Sequence, residues 1–512
     1  MRIRPLACCC LLASAILLGS LVTWIAGGGP TFATTTVLPA GEISIGATPS
    51  RPNETCRLNV RSGFQQAEME SAITTLPEIE FDLPPAQSDC LLVIGCLQGD
   101  LLNNDFAITL IDQSKLSEPP ATATEWIALD AQPAEQPVDK TRTFTRPVTT
   151  IARSAFAIEK NITLTDIRRI FHLYTDGDGN YLDASAYAAC ETRLVAESEH
   201  LRIWLDERDV TEHGDKIQSR LKDLVAAFER IIVSRLMPWL GKVDDIDGDG
   251  KFGIVLSSRL EQLSTSDSPL VGLTWSGDYR RDLPAPFGNH ADLIYLSPAA
   301  TNLSLLSEVM AHEYVHALSF QLRQYNRPDT IVARNEEDWI NEGLAHVVET
   351  RLTGTSENIQ TRLDVFEANP ESYPLVVTDY VRSGLWRSPG CRGATYSFLS
   401  WCDRNSAEGI VGPLLHAEEV GIPNLERVSG RPFSELFRHW SVHRARNAAQ
   451  TTELRVGTPL TWKQAATSSR SLRLGAHPDS TIRVRIKNES ESGVQLTLIP
   501  LSDPKAEEAL IY

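Results

Sequence analysis

The stretch "AHEYVHAL" (311–318) sets His312, Glu313 and His316 at H-E-x-x-H spacing. On an α-helix residues i and i+4 share a face, so both histidines can aim a ring nitrogen at one ion. Glu313 is rotated away from them by one residue. From there its carboxylate reaches the attacking water as a general base and leaves the metal to the histidines. Val309, Met310, Val315 and Leu318 supply the apolar surface that would bury such a helix and hold the ligands still. With 11 histidines in 512 residues, chance would place the triplet in only about one or two chains in a hundred.

A catalytic zinc takes three protein ligands and keeps a fourth position open. Ser319 and Leu322 stand where a three-histidine site would need Gly and His, so the third ligand lies elsewhere. "DWINEGLAHVVE" (338–349) predicts a second amphipathic helix, with Ile340, Leu344, Val347 and Val348 packing inward. Glu342 lies near its start, 26 residues after His316, which leaves room for a turn and an antiparallel return. Glu336, Glu337 and Glu349 are rival carboxylates, each expected on a solvated face.

H-E-x-x-H followed by W-I-N-E-G-L-A resembles the glutamate-type zincins, most closely the hyicolysin family of exported zinc metallopeptidases. "RIWLDE", "DIDGDGKFGIVLS" and "NHADLIYLSP" resemble that family's order of strands and turns, so the likeness covers about 200–440 and is strongest at the two metal helices. The resemblance implies zinc on His312, His316 and Glu342, Glu313 as base, and a protein or peptide substrate. The aminopeptidase N family shares the second motif but adds a G-x-M-E-N segment for the substrate's amino terminus. No such segment occurs here, which favours an endopeptidase. Related enzymes carry a Tyr or His on a later helix as oxyanion donor. In "GCRGATYSFLSWC" (390–402) Arg392 precedes the Gly, leaving Tyr396 and Arg392 as candidates, with Tyr380, His416 and His439 as further options. That departure keeps open a second reading, a catalytically degenerate zincin acting as a cell-surface binding or scaffold protein.

Asp245, Asp247 and Asp249, followed by Gly250, match the first half of a calcium loop. The twelfth position is Leu256 and a strand follows, which excludes a full EF-hand; a calcium turn and a plain acidic hairpin both fit. "YTDGDGNYLDASAY" (174–187) reads as a strand ending in a solvated acidic turn.

A net charge of −18 argues against nucleic acid as a partner. Arg2 and Arg4 ahead of an apolar run from Leu6 to Ala26 predict an export signal cleaved after Ala33. The run is long enough that an uncleaved membrane anchor is the alternative. Both place the protein outside the cytoplasm, secreted or periplasmic. Six cysteines remain beyond the signal, and proximity suggests disulfides joining Cys391 to Cys402 and Cys56 to Cys90 or Cys96.

The fold expected is α+β: a mixed sheet packed on the H-E-x-x-H helix, a helical C-terminal half, and small β-rich flanking domains. The boundaries are 1–33 signal or anchor, 34–116 N-terminal β-rich domain, 117–150 Pro-rich acidic linker, 151–454 metallopeptidase domain and 455–512 β-rich appendage.

Overall fold

The computed structural model describes residues 56–59, 70–74, 77–83, 85–115, 167–176, 181–264, 270–325, 335–448, 451–490 and 492–501. The expected signal or anchor and the linker lie outside the described residues. No helix among the described residues is long and apolar enough to cross a membrane.

The chain is a mixed α and β protein with three sheets, in keeping with the α+β expectation. The central sheet has six strands: Arg168–Tyr174, Tyr187–Glu197, Leu201–Asp206, Phe252–Leu256, Leu293–Leu296 and the short Gly272–Leu273. The first three run as an antiparallel meander, and Leu201–Asp206, Phe252–Leu256 and Leu293–Leu296 are mutually parallel. Their near-continuous apolar runs fit strands covered on both faces. Gly272–Leu273 closes one edge, antiparallel to Leu293–Leu296.

Against this sheet lies the helix Leu303–Phe320, started by Asn302, whose side chain accepts from the backbone N–H groups of Ser304 and Leu305. Every residue from Leu306 to Ser319 is buried. The helix is therefore an interior one, held between the sheet and the C-terminal helices. The Tyr314 ring packs on Phe252, centroids 4.9 Å apart, and its hydroxyl accepts from the Val243 N–H at 3.0 Å. The return helix Asp338–Thr353 ends at Gly354, whose φ of 76° supplies the left-handed cap. Pro389–Arg404 packs on it, and the approach depends on Gly343: a Cβ there would stand 2.7 Å from Leu399 Cδ1 and 3.2 Å from the Thr395 Cβ and carbonyl oxygen. The glycine after Glu342 thus has a packing reason.

The flanking β segments differ from the expected two separate units. Ile482–Asn488 inserts between Glu78–Leu83 and Asn104–Asp112, and Gly493–Pro500 inserts between Cys90–Gln98 and Glu70–Thr74. Two five-stranded sheets result, sharing one core in which Ile79, Phe81, Ile94 and Ile108 meet Val484, Ile486 and Leu496. Asn104–Asp112 and Ile482–Asn488 alternate buried and more exposed residues, as half-covered strands must. Neither half can cover its apolar face alone. Leu91, Val93 and Ile499 then pack on Val442 and Ala445 of the helix Phe433–Asn447, joining this β-sandwich to the helical half.

The expected disulfides do not form. Cys90, Cys96, Cys190, Cys391 and Cys402 are buried free thiols. Cys391 and Cys402 lie on one helix, where eleven residues at about 1.5 Å each separate them by three turns. Cys56 lies on a strand of one flanking sheet, whereas Cys90 and Cys96 lie on a strand of the other.

Candidate metal centre and catalytic site

The two helices bring the predicted ligands together. His312 Nε2 and His316 Nε2 stand 3.1 Å apart, and Glu342 Oε2 is 3.4 Å from the first and 3.7 Å from the second. For zinc bonds of about 2.0–2.1 Å in tetrahedral geometry, ligand atoms should be about 3.3 Å apart. The triangle has that size.

Its chemistry also calls for a cation. Glu349 is fully buried and accepts from His312 Nδ1 at 2.9 Å, from His346 Nδ1 at 2.9 Å and from Asn358 Nδ2 at 2.9 Å. Burial favours the neutral carboxyl, but the two histidines outweigh it and bring Glu349 down to about 2. An ionised Glu349 fixes the proton of His312 on Nδ1, so Nε2 turns a lone pair toward His316 and Glu342. Apart from its ion pair with Arg392, Glu342 Oε2 accepts no hydrogen bond although it is buried. With no cation on Nε2, burial works against protonating His312, yet Glu342 and Glu349 outweigh it and push its pKa up to about 10, so that a metal would take the place of the Nε2 proton. Burial would raise the Glu342 carboxyl too, but Arg392 and the histidines hold it well below the usual carboxylate range. Three converging lone pairs and this surplus of carboxylate fit a divalent metal.

Glu313 is placed from the sheet edge. Thr274 Oγ1 donates to Glu313 Oε2 at 2.8 Å and to the Glu313 carbonyl at 2.9 Å. This needs Gly272 two residues earlier, because a Cβ there would come within 2.4 Å of Val309 Cγ1 and 2.9 Å of Glu313 Oε1. Of the two oxyanion candidates, Arg392 stands in the site, paired with Glu342 and 5.5 Å over the Tyr380 ring. Tyr396 lies on the same helix, partly buried against the main core. None of the site's hydrogen bonds or ion pairs among the described residues involves it. His416 is bonded to the Leu240 carbonyl and His439 to Arg438, away from the ligands.

Two of the rival carboxylates are not on solvated faces. Glu349 is the buried partner of His312, and Glu336 is buried against Arg323, Asn424 and the Gly421 N–H. Glu337 is part-buried and accepts from the Trp339 indole at 2.7 Å. A signal for Glu349 does exist: Glu342, His346 and Glu349 recur at i, i+4 and i+7, one helical face. Thr274 carries no comparable signal.

The acidic turn gathers a different trio from the expected one. Asp245 and Asp247 approach Asp292, whereas Asp249 pairs with Arg202 at 2.5 Å. Asp245 accepts from the N–H groups of Gly248 and Gly250, and Asp247 pairs with Arg169. These hydrogen bonds shape a loop from the helix Met237–Leu240 to the strand Phe252–Leu256, which is not a hairpin. In the second acidic stretch, strand Arg168–Tyr174 leads toward a turn that lies in part outside the described residues.

No protein-family model and no curated protein matches the chain.

Proposed function

We propose that this protein is an exported zinc-dependent endopeptidase with a zincin-like fold, close in kind to the hyicolysin family. His312, His316 and Glu342 would hold the metal and Glu313 would act as general base. The observation that carries the reading is the 3.1–3.7 Å triangle of two imidazole nitrogens and one carboxylate oxygen, set beside the Glu313 carboxylate.

Zinc held there would act as a Lewis acid on the scissile carbonyl and make water acidic enough to attack at neutral pH. Glu313 then takes the proton of the attacking water and returns it to the leaving amine, its rotamer held by Thr274 Oγ1. Arg392, paired with Glu342, would offer a permanent cation to the negative charge developing on the carbonyl oxygen. Glu349 and His346 keep His312 in the tautomer that offers Nε2. Gly272–Leu273 is the terminal strand of the sheet, and an extended peptide laid along it would pass Glu313.

Glu313→Gln decides between an enzyme and a zinc-loaded scaffold. Purified wild type should hydrolyse casein-type substrates, and Glu313→Gln should abolish hydrolysis with zinc content unchanged. A zinc-loaded wild type that cleaves nothing in a broad peptide library would leave the scaffold reading standing.

A further inference from the structure

A cavity of about 370 Å³ opens where the helix Phe433–Asn447 lies over the flanking β-sandwich. Strand Cys90–Gln98 pairs there with Ser468–Leu474, which sets Gly95 beside Ser469 and Val93 beside Ser471 on the sheet face turned toward the helix. From the helix, Phe437, Ser441 and Ala445 recur at i, i+4 and i+8, one face. The two layers touch at either end of that face. A Cβ on Gly95 would stand 2.9 Å from Phe437 Cε1, and Val93 packs with Ala445. Between those contacts the facing side chains are serines, too short to close the gap. The end of the helix Glu357–Ala368 forms a further wall.

Polar groups on these walls lack partners. Ser441 is 3% exposed, yet its hydroxyl makes no hydrogen bond, although a helical serine can ordinarily reach the carbonyl one turn back. The Ser469 and Ser471 hydroxyls make none among the described residues either. A buried hydroxyl left unpaired is costly, and several around one cavity call for a partner that arrives from outside. Arg444 is held against flat rings, 4.4 Å from the Phe366 centroid and 5.1 Å from that of Trp440. It forks onto Glu367 through Nε at 3.3 Å and Nη2 at 3.0 Å, which leaves Nη1 as a spare donor. Glu371 pairs with Arg470 through one carboxylate oxygen at 2.6 Å.

The charges therefore cancel within the walls. An entering anion would meet Glu367 and Glu371, and an entering cation would meet Arg444. A neutral ligand that both donates and accepts avoids either penalty. Neighbouring hydroxyls on a sugar ring do both, while its C–H edges can rest on Val93, Ala368 and Pro370. The volume lies within the range of about 300–1,000 Å³ found for small-molecule sites.

We propose that this cavity is a second binding site that receives a neutral saccharide unit, free or at the end of a glycan, on the Ser441, Ser469 and Ser471 hydroxyls and the Arg444–Glu367 pair. It is separate from the proposed metal centre. The helix Glu357–Ala368 meets Glu349 through Asn358 and the cavity through Glu367, about 14 Å further along its axis at about 1.5 Å per residue. Sugar binding there requires neither zinc nor Glu313.

The test is ligand-observed NMR on the full-length protein with glucose, galactose, mannose, N-acetylglucosamine and their common disaccharides, with phosphate, acetate and a neutral hexapeptide as comparisons. At least one sugar should bind. Ser441→Ala should weaken that sugar by about 3- to 10-fold. It should leave the Tm of the sugar-free protein unchanged or higher, because it removes an unpaired hydroxyl. Ser471→Phe, which fills the cavity, should abolish binding with the fold intact by circular dichroism, and Glu313→Gln should bind as wild type does. Retention of a glycoprotein but not of its enzymatically deglycosylated form assigns a glycan end, and binding of the free sugar alone assigns a free saccharide. Failure of every sugar in the panel to bind overturns the site. So does tighter binding of phosphate, acetate or the peptide, or undiminished affinity in Ser441→Ala. A lowered Tm in that variant would give the hydroxyl a structural role and overturn it as well.

Discussion

Glu349→Gln isolates the second layer of the proposed metal centre. The wild-type carboxylate is fully buried, ionised, and receives three N–H groups at 2.9 Å each. The glutamine is nearly isosteric, so no cavity forms and the fold should persist. What changes is the acceptor for His312 Nδ1–H, from a carboxylate to an amide whose own NH2 group must face a donor. A hydrogen bond to a charged group contributes about 1.5–3 kcal/mol, against about 0.5–1.5 kcal/mol for a neutral one. The difference, about 1–2 kcal/mol, corresponds to about 5- to 30-fold in affinity. Outer-layer partners of zinc-bound histidines typically matter by about 10- to 100-fold, which overlaps. We therefore expect zinc affinity to fall by about tenfold in competition with a chromophoric chelator. Circular dichroism should show an unchanged fold. An affinity within about threefold of wild type would refute the assignment of Glu349 as the group that orients His312.

Gly272→Ala should lower kcat by about 100-fold with zinc retained, because the new Cβ would displace Glu313 or Val309; kcat close to wild type would show that the edge strand can yield. Asp292 is pushed up to about 8 by burial, reinforced by Asp247 and Asp245. A carboxyl whose folded pKa lies above the unfolded value of about 3.9 contributes stability that is complete at acid pH and is lost as pH rises through 8. Asp292→Asn still accepts from the Ile246 N–H, so it should raise Tm at alkaline pH and leave it unchanged near pH 4, which thermal scans at the two pH values would check. A specific protease site inserted within 117–150 should, once cut, give two fragments that co-elute on gel filtration, since each end's strands are paired to the other's. Separation of the fragments would contradict the shared sandwich.

How much could be read before the fold was known depends on how local each feature is. The H-E-x-x-H pair needs only the 3.6-residue period of one helix, and Glu342 needs a second helix with a turn between. Strands Leu201–Asp206, Phe252–Leu256 and Leu293–Leu296 were legible for the same reason, as short apolar runs between turn residues. The buried state of Glu336 and Glu349 was not, because a charged residue on a helix is ordinarily solvated and only its partners reveal otherwise. The cysteine pairing failed because nearness along the chain says nothing of separation once both residues share a helix, as Cys391 and Cys402 do, or fall in different sheets, as Cys56 and Cys90 or Cys96 do.

By itself, then, the sequence determined the residues that converge at the proposed metal site and the segments that carry them, since both follow from periodicity within one element. Tertiary structure decided which groups hold those residues in working geometry. Thr274 reaches Glu313 across 39 positions, Glu349 reaches His312 across 37, and Ile79 pairs with Ile486 from the other end of the chain. Such contacts are selected by packing and by the need to pair every buried polar group, conditions that exist only once the whole chain has closed.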